Sequence, residues 1–350
     1  MKTAQVEKNK IIIKEIESLK LNGRKGAIVK VLGCGLCGSD IVKFRHKIAK
    51  DGTVLGHEIV GIIEEIDSET SFKIGDKIIS SHHIPCFECT YCKHGNYSMC
   101  EHFKQTNIIP GGFSEKIFLS EEHLKNVAYI VPENLSDDEI SFYEPLGCCV
   151  RAIKRCKLCQ GDNVLVVGLG SIGLIMAQAI KAMGYNVLAC DILDERVILS
   201  NNKGIQSYNS KDLESFNKII QRETAGYGVD AVFMTSGADK AIDVALKVIK
   251  QGGKILVFSS TPNNFGYANN EIYYKELTIM GSYSPSPRDL KDSFDLLASN
   301  QVNVEDLTTI YSLDEIQKAF EDVKPSSLKI HTPCPEPIAS PVKRMFSPCK

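Results

Sequence analysis

Four cysteines lie close together in the first third of the chain, at a spacing that suits a metal ion. Cys86, Cys89, Cys92 and Cys100 form the pattern C-x2-C-x2-C-x7-C. Four thiolates in this register can surround one tetrahedral Zn²⁺. The residues between them offer few apolar side chains, so the segment depends on a metal for its shape. We predict a structural zinc lobe at residues 86–100, and free or redox-active thiols are the alternative.

A glycine-rich turn in the middle of the chain is the second candidate site. Its GxGxxG motif consists of Gly168, Leu169, Gly170, Ser171, Ile172 and Gly173. The motif follows the apolar residues 164–167 and opens a helical pattern, which is the context a dinucleotide-binding turn requires. The three glycines permit a tight turn, a close approach of backbone to pyrophosphate, and close packing of helix on strand. The helix N-terminus would present free N–H groups to the phosphates.

An acidic residue follows at the position that selects the cofactor. Asp191 ends the next predicted strand. A carboxylate there accepts hydrogen bonds from ribose hydroxyls and repels a 2′-phosphate, so NAD is favoured over NADP. Arg196 could stack on adenine, and it could also soften the discrimination against phosphate. A glycine-rich turn in some other doubly wound protein is the alternative interpretation.

A second set of metal ligands is spread along the sequence. Cys37, His57 and a carboxylate offer sulfur, nitrogen and oxygen ligands, with room for an exchangeable ligand. That is the requirement of catalytic zinc, in contrast to a closed site of four thiolates. Glu58, Glu144 or water could complete the shell, and the sequence leaves these alternatives open.

Together these motifs resemble the zinc-dependent medium-chain alcohol dehydrogenases, in their polyol (sorbitol) dehydrogenase-like branch. The matching segments are Cys-Gly-Ser-Asp at 37–40, Gly-His-Glu at 56–58, the four-cysteine lobe, Glu-Pro-Leu at 144–146, and the GxGxxG with Asp191. The resemblance runs from about residue 10 to residue 330. It implies an α/β protein with an irregular β-rich (GroES-like) catalytic domain and a doubly wound Rossmann domain.

The resemblance also implies residue roles. Cys37 and His57 would bind the catalytic zinc, and Glu58 would be a ligand or a close neighbour of one. Glu144 stands where sorbitol-type members have a glutamate. Ser39 would contact the substrate hydroxyl or a water at the metal. Asp40 would orient His57. Ser236 would lie on the nicotinamide side of the cofactor.

The implied reaction is oxidation of a secondary alcohol, a polyol or sugar-derived hydroxyl, to a ketone. It would use NAD and two zinc ions per subunit, one catalytic and one structural. Two alternatives remain open. The first is action on L-threonine or a primary alcohol. The second is a non-catalytic protein that binds zinc and nucleotide.

The elements that must position these residues change character near residue 140. Before it, short β-branched runs such as residues 27–32 and 58–66 are separated by glycines and predict a β-rich domain. After it, strands alternate with helices, which predicts a parallel sheet covered on both faces. We predict a catalytic domain at 1–140 and 283–330, an NAD-binding domain at 141–282, a final strand cut short at 328–330, and a disordered tail at 331–350.

Composition narrows the functional classes. Charged residues make up 24% of the chain and the formal net charge is −2, which gives no support for binding nucleic acid. The N-terminus lacks the apolar segment of a signal peptide, and no apolar stretch approaches the length of a membrane span. We therefore predict a cytoplasmic protein, and the resemblance implies a homodimer or homotetramer.

Other cysteines and histidines receive less specific interpretations. Cys34, Cys148 and Cys149 are expected to pack as small apolar residues. Cys156 and Cys159 also spell C-x2-C, and we interpret that pair as unrelated to metal. His82 and His83 precede the lobe and could touch substrate or solvent, and we expect them to be surface residues.

Overall fold

The computed structural model describes residues 1–238, 240–259 and 269–323, together with the backbone of residues 343–347. Before residue 141 the strands are β1 (Lys2–Glu7), β2 (Lys10–Glu15), β3 (Gly26–Leu36), β4 (Glu58–Asp67), β5 (Lys77–Ser80), β6 (Lys116–Ser120) and β7 (Ala128–Ile130). The helices there are α1 (Gly38–Arg45), α2 (Thr90–Lys93), α3 (Glu101–Gln105), α4 (Glu121–Asn126) and α5 (Asp137–Ile140).

After residue 141 helices and strands alternate. They are α6 (Tyr143–Cys156), β8 (Asn163–Val167), α7 (Ser171–Ala182), β9 (Asn186–Asp191), α8 (Asp194–Asn202), β10 (Gln206–Asn209), α9 (Leu213–Glu223), β11 (Val229–Met234), α10 (Ala241–Val248), β12 (Ile249–Val257), α11 (Asn269–Tyr274) and β13 (Thr278–Gly281). They continue with α12 (Pro287–Ala298), β14 (Thr308–Ser312), α13 (Ile316–Asp322) and β15 (Lys343–Ser347). Among these described residues, no helix is long and apolar enough to cross a membrane.

The first region folds around a mostly antiparallel sheet. Its order is β14-β15-β3-β4-β5-β7, and β6 pairs with the other half of β3. The hairpin of β1 and β2 is a separate two-stranded sheet, and isolated bridges connect it to loop residues of this region, Thr3 to Ser114 and Gln5 to Val54. The apolar interior includes Val29, Val31 and Ile63, all buried. This is the irregular β-rich domain that the sequence predicted.

The second region is a six-stranded parallel sheet of order β10-β9-β8-β11-β12-β13. The apolar side chains of β8 from Val164 to Val167 are buried whichever face of the sheet they occupy. Such runs are typical of parallel strands covered by helices on both faces. The order reverses between β8 and β11, and ligands of doubly wound folds bind outside the strand ends at that point. The predicted fold class is confirmed.

Helix α6 is the connection between the two regions. Its buried residues Leu146, Cys149 and Ile153 share one hydrophobic cluster with residues of both regions, among them Val60 of β4 and Val164 of β8. Helix α12 packs in the same cluster through Leu290 and Leu297. The domain boundaries at residues 140 and 283 stay predictions.

The tail prediction needs a correction. Residues 343–347 form β15, which pairs in parallel with β14 and antiparallel with β3. This segment is therefore part of the sheet and not a disordered tail, because all five of its residues pair with β14 and three of them pair with β3. The expected short strand at 328–330 and the rest of the tail lie outside the described residues.

Candidate active site and cofactor site

Cys37 is fixed at the N-terminus of α1 by hydrogen bonds in both directions. Its Sγ accepts from the Ser39 N–H at 3.5 Å, and its own N–H donates to Asp40 Oδ2 at 3.3 Å. The sulfur thus takes the place that a hydroxyl usually fills in a capping box. The Ser39 side chain is exposed, and its hydroxyl has no hydrogen bond within the described part of the chain.

His57 lies immediately before β4, with Asp40 against one side of its ring. The Nδ1 of His57 is 3.4 Å from Asp40 Oδ1, the contact that the sequence predicted. Burial would lower the pKa of His57, but Asp40 and Cys37 raise it well above its ordinary value. Burial likewise opposes ionisation of Asp40, yet His57 and the Gly56 N–H keep its pKa below the ordinary value. This pair fixes the ring through Nδ1, so Nε2 is the nitrogen that could bind a metal.

Cys37, His57 and Glu58 bring three ligand atoms together. Their donor atoms all lie within 4.8 Å of one another, and His57 and Glu58 are buried. Burying ionisable groups is costly unless they are paired or coordinate a metal. The donor set of sulfur, nitrogen and oxygen therefore fits a zinc ion.

Glu144 lies outside that group of donors. It is buried in the first turn of α6, and its Oε1 is 3.6 Å from Cys148 Sγ. Burial, followed by the charge of Glu144, raises the pKa of the Cys148 thiol well above its ordinary value. Tyr283 is a further neighbour that the sequence analysis did not identify. Burial, then Cys148 and Glu144, raise the pKa of its phenol.

The expectation that His82 lies at the surface is wrong. Only 9% of this residue is exposed, and its ring lies against His57 with ring centroids 4.4 Å apart. The cause is strand register. β4 and β5 pair antiparallel with Ile59 opposite Ser80, so continuing the pairing by two residues places His57 opposite His82. This pairing was the signal that the sequence analysis missed.

The four cysteines of the lobe converge as predicted. The Sγ atoms of Cys100 and Cys86 are 3.5 Å apart, those of Cys89 and Cys92 are 3.6 Å apart, and those of Cys86 and Cys92 are 4.0 Å apart. Four ligands with Zn–S bonds of about 2.3 Å in a tetrahedron would have sulfurs about 3.8 Å apart. The observed spacing fits a zinc ion.

The local backbone changes the pKa values of these thiols. Cys89 and Cys100 precede the first turns of α2 and α3. Burial would raise the pKa of the Cys100 thiol, but N–H groups of Cys86 and Phe103 contribute to lowering it to about 6. Burial raises the pKa of Cys92 to about 12, so a bound metal would have to displace that proton. The apolar cluster of the lobe consists largely of the cysteines themselves, with Phe103 and Tyr97.

The lobe is attached to α6. Arg151 is buried, and its Nη2 donates to the Gly95 carbonyl at 3.0 Å. Arg155, one turn later, donates to Asn96 Oδ1 at 3.3 Å. The same helix carries Glu144 at its other end, so the lobe and the candidate catalytic site share one rigid support.

The glycine turn has the tight geometry that its motif predicts. Gly168 has φ +98°, and a Cβ on it would lie 2.8 Å from Ser236 Cβ. A Cβ on Gly173 would lie 1.8 Å from the Gly168 carbonyl oxygen. The Thr235 hydroxyl donates to that oxygen at 2.7 Å. Ser171 and Ile172 form the first turn of α7, which has no side-chain cap and so leaves N–H groups for an anion.

Asp191 lies at the end of β9 beside this turn. Its carboxylate accepts from the Leu169 N–H at 2.7 Å and from the Leu193 N–H at 3.1 Å. Arg196 Nη1 is 3.2 Å from Asp191 Oδ2. Arg196 therefore pairs with the carboxylate, and the interpretation that it stacks on adenine stays a prediction.

Comparison with known proteins agrees with this geometry. Residues 23–129 match the family described as alcohol dehydrogenase GroES-like domain, and residues 171–299 match the family described as zinc-binding dehydrogenase. A probable D-xylulose reductase A of Aspergillus clavatus is 31% identical over 85% of this chain and 86% of that protein. A sorbitol dehydrogenase of Halalkalibacterium halodurans is 30% identical over 86% and 89%.

A solved structure shares the whole fold. The crystal structure of galactitol-1-phosphate dehydrogenase from Escherichia coli has a TM-score of 0.83 and 22% identity, and the match covers 99% of this chain and 100% of that one. At this identity the likeness concerns the fold alone.

Proposed function

Because this chain belongs to the zinc-dependent medium-chain alcohol dehydrogenase family, we propose that it interconverts a polyol or sugar-derived secondary alcohol and the corresponding ketone with NAD(H). The observation that carries the proposal is the convergence of Cys37, His57 and Glu58 donor atoms within 4.8 Å. The relatives named as xylulose reductase and sorbitol dehydrogenase support the polyol class. Glu144, which is buried near this site, agrees with that branch.

The residues divide into metal-binding and cofactor-binding sets. Cys37, His57 and either Glu58 or Glu144 would hold the catalytic zinc, and Cys86, Cys89, Cys92 and Cys100 the structural zinc. When bound, the catalytic zinc supplies a Lewis acid that eases loss of the hydroxyl proton, and NAD⁺ supplies the hydride acceptor. The uncapped N-terminus of α7 would bind the pyrophosphate, and Asp191 the ribose.

Side chains of the protein would orient the metal ligand and transfer the proton of the substrate hydroxyl. Asp40 holds His57 in the orientation that directs Nε2 away from the carboxylate, which keeps the site preorganised. The exposed Ser39 hydroxyl accepts the substrate proton and passes it outward. Ser236 packs against the glycine turn at the reversal of strand order, and it would lie beside the nicotinamide end of a bound cofactor.

The test is formation of NADH, followed at 340 nm, with pentitols, hexitols, L-threonine and short primary alcohols. We expect turnover on a polyol and loss of at least a thousandfold in Cys37→Ser. Cys34→Ala is the matched control, because Cys34 is a buried thiol three residues away and outside the donor group. Turnover on threonine or primary alcohols alone would reject the polyol class, and no turnover by a zinc-loaded protein would reject an enzyme.

Two features of the described residues, a sheet edge and the free thiols, bear on assembly and compartment. We propose a homodimer or homotetramer in the cytoplasm, with no nucleic-acid partner. The outer edge of β13 has no partner strand among the described residues, and such an edge can pair with a second copy. The cysteines of the described residues are free thiols, which suits a reducing compartment. Light scattering after size-exclusion chromatography tests the assembly.

A further inference from the structure

A buried cation lies between the cysteine lobe and α12. Arg151 of α6 is only 6% exposed, and its two terminal nitrogens meet different partners. Nη2 donates to the Gly95 carbonyl of the lobe at 3.0 Å, whereas Nη1 lies 3.6 Å from Asp289 Oδ2 of α12. Its Nε is enclosed and has no hydrogen bond within the described residues. Because a buried charge is costly unless it is paired, losing either remaining contact would destabilise this guanidinium.

The position of the Gly95 carbonyl depends on the lobe. Gly95 lies between the candidate ligands Cys92 and Cys100, and its N–H donates to the Cys92 carbonyl at 3.0 Å. The apolar cluster of the lobe consists largely of the cysteines themselves, which is too little to hold the segment in shape without a metal. The lobe therefore has two states, folded around zinc and unfolded without it. Only the folded state presents this carbonyl to Arg151.

Asp289, the second partner of Arg151, already caps α12. Its Oδ2 accepts from the Ser286 N–H at 2.9 Å and from the Ser286 hydroxyl at 2.6 Å, which fixes the start of the helix. At 3.6 Å, Arg151 is an ion-pair partner of that oxygen but not a hydrogen-bond donor to it. Without the Gly95 carbonyl, the guanidinium has to close on the same oxygen, because a buried cation must be paired. It then competes with the cap of α12.

Helix α6 connects this cluster to the cofactor turn. The thiol of Cys149, two residues before Arg151, lies 4.0 Å from the Ile172 carbonyl in the first turn of α7. Ser293 of α12 donates to the Tyr143 carbonyl of α6 at 2.6 Å, so a displacement of either helix is passed to the other. A shift of α12 at its capped end therefore changes how α6 supports the helix that would bind the pyrophosphate.

We propose that Arg151 is a positioning residue that couples the metal state of the cysteine lobe to the geometry of the cofactor turn. This role rests on the proposed function and extends it. The protein that has lost its lobe zinc binds NADH more weakly, although its glycine motif and Asp191 are intact. Coupling of this kind is reciprocal, so bound NADH also helps to retain the lobe zinc. A lobe that only stiffened its own loop would leave NADH affinity unchanged.

The first experiment is a double-mutant cycle followed by NADH fluorescence titration. Cys92→Ser removes a lobe ligand, and Arg151→Met removes the guanidinium but keeps an unbranched side chain. We expect Cys92→Ser to weaken NADH binding about fivefold in the wild-type background and by less than about twofold in the Arg151→Met background. Arg151→Lys, which keeps a cation at this position, should recover part of the coupling.

Arg155→Met is the matched control. Arg155 lies one turn further along α6 and also contacts the lobe, through Asn96 Oδ1 at 3.3 Å. It is exposed, and the ion pairs of Asp289 are made by Arg151 and Lys154. Arg155→Met should therefore keep both the wild-type affinity for NADH and the full effect of Cys92→Ser.

A second measurement does not depend on the folding of Arg151→Met. Zinc transfer from the Cys37→Ser protein to a chromogenic chelator reports on the lobe alone, because this variant lacks a candidate ligand of the catalytic zinc. We expect saturating NADH to slow this transfer about fivefold, by the reciprocity of the coupling.

Three results would overturn the role of Arg151. They are equal effects of Cys92→Ser in the wild-type and Arg151→Met backgrounds, a loss of coupling in Arg155→Met as large as in Arg151→Met, and zinc transfer at the same rate with and without NADH. The proposed function fails separately, when a wild type that binds NADH forms none from any alcohol.

Discussion

Gly173→Ala is expected to damage the cofactor site and the fold together. The added Cβ would lie 1.8 Å from the Gly168 carbonyl oxygen and 2.8 Å from Thr235 Oγ1. A carbon–oxygen contact is normally about 3.3 Å or longer, so the turn must open by about 1.5 Å. The oxygen cannot retreat freely, because the Thr235 hydroxyl is bonded to it at 2.7 Å.

The magnitude follows from the size of this shift. Overpacking a tight contact costs about 1–3 kcal/mol, occasionally more, and here backbone must move, so we expect about 3 kcal/mol. At about 2–4 °C per kcal/mol, the melting temperature should fall by about 6–12 °C. Displaced N–H groups at the N-terminus of α7 should also weaken NADH binding by about 10–100-fold, through loss of one charge-assisted hydrogen bond.

Differential scanning calorimetry and NADH fluorescence titration measure the two effects. The matched control is Gly281→Ala in β13, where an added Cβ has no atom within 4 Å and the backbone conformation suits alanine. We expect this control to keep the wild-type melting temperature and affinity. A Gly173→Ala protein that melts within 1 °C of the wild type and binds NADH within about twofold would refute the steric argument.

Four further predictions follow from the sites. Cys92→Ser should lose one zinc ion per chain, measured by atomic absorption. It should also melt at a lower temperature, because the free energy of metal binding at the lobe contributes to folding. A stable, fully assembled but inactive protein would contradict this prediction. Asp40→Asn should weaken zinc binding by about 10–100-fold in chelator competition, since the carboxylate orients His57, and unchanged affinity would argue against that support. Asp191→Ser should raise the ratio of kcat/KM with NADP to kcat/KM with NAD on the order of a hundredfold, because it removes the carboxylate that repels the 2′-phosphate of NADP. An unchanged ratio would show that other residues select the cofactor. Deleting residues 343–350 should lower both stability and zinc content, because β15 pairs with the end of β3 just before the candidate ligand Cys37; wild-type melting would show that β15 is dispensable.

Local patterns predicted the second region well. The apolar residues 164–167 lie in β8, and the strands of the parallel sheet alternate with helices as predicted. These strands are buried on both faces, so their composition is nearly continuous and easily recognised. The glycine motif was equally easy to recognise in the sequence, because the steric requirement for each glycine comes from the local turn.

Features that depend on distant residues were harder to predict. β15 has no apolar character of its own that distinguishes it from a tail, and only its two partner strands make it a strand. His82 was expected to be a surface residue, but it is buried. Its burial depends on the register between β4 and β5, which the sequence alone does not reveal.

The sheet of the first region has a consequence for how the chain matures on the ribosome. Cys34 and Phe346 pair across it although about 300 residues separate them, and the whole nucleotide-binding region is translated between the two. During synthesis, the end of β3 therefore stays without its β15 partner until the C-terminal residues have left the ribosome. Chaperone dependence and slow final maturation are the expected result, since closing so long a loop is entropically costly.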